Sequence, residues 1–129
     1  KPDLVIYDLW QLWAERVAHE QNIPAVTLLT SGAAALSYFY NLGKGDEFRF
    51  PAIYLRKIEQ VKMGEAYAKH AKDKEPDPFA NGNMQIILMS TSRALEAKYI
   101  DYCSELINWK IVPVGPPLQD PITNDADEV

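Results

Sequence analysis

The chain has 129 residues, 47% of them hydrophobic and 24% charged, which suits one domain burying roughly two thirds of its unfolded surface. A formal charge of -5 excludes a nucleic-acid or anionic-membrane surface as the main role, since neither phosphates nor acidic lipids attract such a chain. No run nears the roughly 20 apolar residues that span a bilayer, and the single Cys103 provides neither a disulfide framework nor a CxxC pair, so a soluble protein of a reducing, cytoplasmic compartment is expected.

In chain order, "LVIY" (4–7) is an apolar run without alternation and predicts a strand buried on both faces. Leu9, Leu12, Trp13 and Val17 then recur at helical spacing. A second buried strand is predicted at "AVTLL" (25–29), followed by a helix over "GAAALSYFY" (32–40). From residue 41 to 83 the pattern loosens: a loop "NLGKGDEFRFP", exposed helical segments within "YLRKIEQVKMGEAYAKHAK", and a polar, turn-rich "DKEPDPFANGN". "IILM" (86–89) is a third strand, Leu95, Tyr99, Tyr102, Cys103 and Leu106 mark another helix, and "KIVPV" (110–114) is a fourth strand. The closing "VGPPLQDPITNDADEV" has Pro and acid without periodicity, the composition of a linker. Strand and helix in alternation predict an α/β fold, a Rossmann-like parallel sheet with right-handed crossovers and flanking helices. A domain that opens immediately before a buried strand suggests a piece of a longer protein.

In such sheets ligands gather beyond the carboxyl ends of the strands. Three polar clusters fall there: Asp8, then Thr30-Ser31-Gly32, then Ser90-Thr91-Ser92. Each has a plain alternative as the N-cap of the following helix. Burying a lone carboxylate such as Asp8 is costly unless it is paired or hydrogen-bonded, so it calls for a partner or a role. His19 precedes Glu20, but position 23 is Ile, which breaks HExxH, and no GxGxxG or GxxxxGK[ST] loop is present. No metal site is expected. Cys103 is expected to be a small buried hydrophobe. Trp10, Trp13 and Trp109 have core packing as their ordinary role, with Trp10 set apart by its place two residues after Asp8.

The ordered series "LVIYDLWQLWAERVAHEQNIPAVTLLTSGAAALSYFY" and "KIVPVGPPLQDP" resembles the N-terminal domain of plant family 1 glycosyltransferases, which use UDP-sugars. "FRFPAIYLRKIE" and "STSRALEAKYIDYCSEL" resemble the clade that adds sugar to glycosylated flavonoids, lignans or terpenoids. The resemblance implies a GT-B enzyme, with residues 1–118 the latter part of its acceptor-binding domain and 119–129 the start of the interdomain linker. It implies that Asp8 is the catalytic aspartate of a His-Asp dyad and that Thr30 contacts the donor sugar. Leu9, Trp10, Trp13 and Phe39 would then line the acceptor site. UDP-glucose would be a co-substrate, with no metal or other cofactor, and the glycoside acceptor the second substrate. The partner histidine and the donor-binding box would lie on other segments of the enzyme, in the same or a separate chain, so this piece alone is expected to be inactive. Two other classes remain at this stage: a receiver-like signalling domain, which also ends a strand on aspartate, and a stand-alone binding module.

Overall fold

The computed structural model describes residues 2–72, 79 and 85–115, with the side chains of 67–72 excepted. Four strands, β1 (Val5–Asp8), β2 (Ala25–Leu29), β3 (Ile86–Met89) and β4 (Lys110–Pro113), alternate with helices α1 (Leu12–Glu20), α2 (Ala33–Lys44), α3 (Lys57–Lys72) and α4 (Arg93–Ile107). The sheet is parallel throughout and ordered β1-β2-β3-β4. This is the expected α/β architecture. The expected 73–83 connection lies outside the described residues except for Phe79, and so do all of the linker 119–129 and most of the tail before it.

Because the strands follow one another in a single direction, right-handed crossovers return the helices that pack on the sheet, α1, α2 and α4, to the same face. The burial pattern agrees: Tyr7, Thr27, Leu29, Ile87, Met89 and Ile111 share one parity and are buried. Against them pack Ala33, Ile100, Cys103, Ile107 and Trp109, with Phe79 edge-on to Trp109 at 4.9 Å between ring centroids. Among the described residues nothing is seen to cover the opposite parity. Ile6 is 54% exposed, Ile86 is exposed, and Leu28, Leu88 and Val112 are only half-buried. The expectation of strands buried on both faces is therefore corrected: among the described residues the sheet has one covered face, and its unalternating apolar sequence belongs to a sheet with two.

Three helix details also depart from the sequence pattern. Leu9 lies before α1, in a turn closed by the Gln11 N–H donating to the Asp8 carbonyl at 2.8 Å; strand alternation carries it from Tyr7 into the core. The expected loop at 41 begins four residues later, since Asn41 stays helical and donates to the Ser37 carbonyl and the Tyr102 hydroxyl. Gly45 then ends α2 in the left-handed region (φ 77°). In α4, Glu96 leaves helical geometry (φ -130°, ψ 26°), so the preceding turn is set off from the rest and Leu95 is 74% exposed instead of joining the apolar stripe. The buried stripe is Ile100, Cys103 and Ile107. After α2, Phe48 and Phe50 return the chain onto α4 by edge-to-face contacts with Tyr99 and Tyr102 at 4.9–5.9 Å.

Cys103 is fully buried, and burial, helped by the negative charge of Glu96, pushes its thiol up to about 12. It should resist thiol reagents until the chain unfolds. The folded state keeps this proton at pH values where the unfolded chain, with an ordinary thiol near 9, releases it. Stability is therefore expected to fall as pH rises from about 9 toward about 12. Denaturation midpoints across that range should fall less steeply in Cys103→Ala, and an unchanged slope would contradict this account.

Candidate functional site at the carboxyl edge of the sheet

The strand register sets Asp8 beside Leu28 and Leu28 beside Leu88, so the turns after β1, β2 and β3 all emerge along one edge. Asp8 is the last residue of β1, half-buried, with the parity of Ile6 and hence of the open face. Its Oδ1 accepts the Trp10 N–H at 2.9 Å. This bond braces the turn into α1 and is not a helix cap: Gln11 occupies the N-cap and makes no side-chain capping bond. Among the described residues the second carboxylate oxygen of Asp8 takes no hydrogen bond, which leaves it able to accept an N–H from beyond this chain.

Under Asp8 the strand is anchored by a partly buried polar chain. The Thr27 hydroxyl donates to the Tyr7 hydroxyl at 2.7 Å, and Tyr7 donates to Glu15 at 3.2 Å. Glu15 also accepts from Gln85 at 2.7 Å. Burial raises the Tyr7 phenol above its ordinary value, against the lowering effect of the Thr27 bond, so Tyr7 stays a neutral donor. The chain ties α1 to three strands or strand ends at once, and little besides the ordinary strand reading of "LVIY" hinted at it.

Thr30 and Ser31 are exposed, and among the described residues their hydroxyls make no hydrogen bond. They do not cap α2. Gly32 is its N-cap and has no side chain to offer. The capping is done from another element: Glu96 accepts the Ala33 N–H at 3.0 Å and the Ala34 N–H at 3.2 Å, while the Thr91 hydroxyl donates to it at 2.5 Å. Ser92, the N-cap residue of α4, makes no side-chain capping bond either. The capping alternatives for these clusters thus fail, and the carboxylate that does the capping was missed. The sequence contained one hint, a helix starting after glycine with no side-chain acceptor of its own.

The remaining candidates separate. Trp10 (84% exposed) and Trp13 (59% exposed) stand out from the start of α1, against the ordinary expectation of core packing, whereas Trp109 is core. Leu9 is buried in the core. Phe39 is half-buried on α2 and edge-on to Tyr38 with ring centroids 5.8 Å apart. The structure therefore brings Asp8, Trp10 and Thr30 to one edge, places Trp13 a turn along α1 and Phe39 well inside α2, and turns Leu9 inward. Among the described residues no group of His, Cys, Asp and Glu is arranged to hold a metal ion, and no helix is long and apolar enough to cross a membrane.

No family model matches the chain. Curated plant proteins do. A beta-D-glucosyl crocetin beta-1,6-glucosyltransferase of Gardenia jasminoides is 43% identical across 99% of the chain. A cyanidin-3-O-glucoside 2-O-glucuronosyltransferase of Bellis perennis is 39% identical across 92% of it, and a flavanone 7-O-glucoside 2''-O-beta-L-rhamnosyltransferase of Citrus maxima is 30% identical across 98%. The chain spans 30%, 27% and 29% of their respective lengths.

Proposed function

The chain belongs, as a segment, to the plant family 1 UDP-glycosyltransferases, and from that premise we propose that the complete protein transfers glucose from UDP-glucose to a hydroxyl on the sugar of an already glycosylated plant metabolite. The observation that carries this reading is the agreement of the relatives: each is named for extending a glycoside, and the 43% identical one is a glucosyltransferase. Their names differ in the sugar moved. The segment is then the latter part of an acceptor-side Rossmann-like domain of a GT-B enzyme, with the donor-binding half elsewhere in the protein. The open sheet face supports this, as an apolar surface for the rest of that protein to cover.

In this reading a histidine outside the segment takes the proton of the acceptor hydroxyl. Asp8, through the carboxylate oxygen left free by the Trp10 bond, holds the ring in the right tautomer and stabilises the imidazolium that forms. The acceptor oxygen forms the new bond to the anomeric carbon as the bond to the UDP oxygen breaks, and the electron pair leaves with UDP. Configuration inverts. The chemistry requires a base and a good leaving group, so we expect no metal or further cofactor. Thr30 offers an exposed hydroxyl to the donor sugar, and Trp10 and Trp13 offer apolar surface to the acceptor. A single buried thiol suits a cytoplasmic enzyme. Without that outside histidine the segment alone should not turn over.

The test is to supply the complete enzyme with UDP-glucose and flavonoid or terpenoid glycosides, and to determine product mass and linkage. One added hexose, β-linked to the acceptor's own sugar, is the expected product. Transfer only to sugar-free acceptors, or no transfer from any UDP-sugar, would refute the reading.

A further inference from the structure

We infer that Glu96 is a positioning residue for the donor side of the site, acting through the turn that carries Thr30; the inference rests on the donor-contact reading of Thr30 proposed above. One carboxylate joins two of the three edge turns. It accepts both first N–H groups of α2, at 3.0 and 3.2 Å, and the hydroxyl of Thr91 from the turn after β3. These N–H groups belong to Ala33 and Ala34, which directly follow Thr30-Ser31-Gly32.

The contact is closer than any other residue at position 32 allows. A Cβ built on Gly32 would stand 2.5 and 2.8 Å from the two oxygens of Glu96, so the carboxylate lies directly against the backbone of the turn. Glycine is needed here for this approach and not for its torsion, which is ordinary extended backbone (φ -82°, ψ 168°). The break in α4 at Glu96 is the matching feature on the other side, since it takes the residue off the regular helical path. Thr91 is itself buried, and the turn after β3 is held to the sheet by the Ser90 N–H donating to the Leu29 carbonyl at 2.9 Å. Leu29 is the residue before Thr30. The turn bearing Thr30 is thus fixed at both ends by the 90–96 segment, while the Thr30 hydroxyl makes no hydrogen bond among the described residues. Its position is set for it.

Such an arrangement makes Glu96 influence donor binding without touching the donor. In the complete enzyme, Glu96→Gln keeps the volume but turns an amide NH2 toward a backbone N–H, so one capping bond is lost and the turn loosens. The expected result is a KM for UDP-glucose raised about tenfold with the acceptor KM unchanged. If Glu96 acts through Thr30, the same substitution in a Thr30→Ala background should raise the donor KM by less than about twofold, a coupling that purely structural damage would not produce. Gly32→Ala provides a second variant, pushing the carboxylate from the opposite side, and should reproduce the donor effect should Glu96→Gln fold poorly.

A donor KM untouched by Glu96→Gln and Gly32→Ala, or effects of Glu96 and Thr30 that simply multiply, would overturn the inference while leaving Thr30 as a donor contact. A donor KM unaffected by Thr30→Ala would overturn both the inference and the donor reading of Thr30.

Discussion

Asp8→Asn in the complete enzyme is expected to lower turnover by about a thousandfold to ten-thousandfold, the scale seen when a buried aspartate that orients a catalytic histidine loses its charge. Its KM values and melting temperature should stay near those of the parent. The structure explains why the two effects separate. Asn can still accept the Trp10 N–H through its side-chain oxygen, as Oδ1 of Asp8 does at 2.9 Å, so the turn between β1 and α1 survives. What changes is the outer oxygen, which becomes an NH2 and, in the proposed dyad, would meet a histidine N–H donor to donor. The ring then turns or adopts the other tautomer, and the imidazolium loses its counter-charge. Steady-state kinetics and thermal unfolding on one preparation decide the matter. Near-normal turnover would remove Asp8 from the chemistry, and a collapse of both turnover and melting temperature would make it a structural residue.

The second large effect concerns the open face of the sheet. Leu88 sits at the middle of β3 between Leu28 and Val112, half-buried with nothing packed over the face among the described residues. Leu88→Lys should cost the 129-residue chain only about 1 kcal/mol, because the ammonium can reach water along its own stem. In the complete protein, where we propose that the face is covered, the same lysine becomes an unpaired buried charge and should cost about 3–5 kcal/mol. Chemical denaturation of both proteins, with and without the substitution, reads the difference directly. Equal, small losses in the two would mean that the face stays open to water in the complete enzyme as well. The chain alone should meanwhile bind a hydrophobic dye through the Ile6, Leu28 and Leu88 surface.

How legible this was differs from element to element. The four strands were readable because β-branched and aliphatic runs of four or five residues, punctuated by Pro, Asn and Gly, leave few other options. Their ends moved by a residue at most in "LVIY" and "KIVPV". The helix at 93–107 was placed correctly but its buried face was not: Leu95 fits the helical period, and only the break at Glu96 turns it outward. Trp13 and Val17 likewise fit an apolar stripe, yet α1 rests on the sheet through the smaller Ala18. Period alone cannot say which of two adjacent stripes meets the sheet, because that depends on where the helix starts. The start was shifted by the Asp8 turn.

The site divides in the same way. The edge placement of Asp8 and Thr30 could be read from sequence because a polar residue just after a buried strand is local information, and a parallel sheet brings all such positions to one edge. Local order in the chain therefore determined the fold class, the succession of strands and the line along which candidate residues lie. Glu96 could not be found this way. It caps a helix that begins 63 residues earlier, and a hydrogen bond across that separation has no signature in spacing. Nor could the sequence decide that one face of the sheet is uncovered, since its residues are as apolar as those of the other. Whether an apolar strand face meets helices or remains open is decided by the direction of the crossovers, a property of the assembled sheet that no single strand encodes.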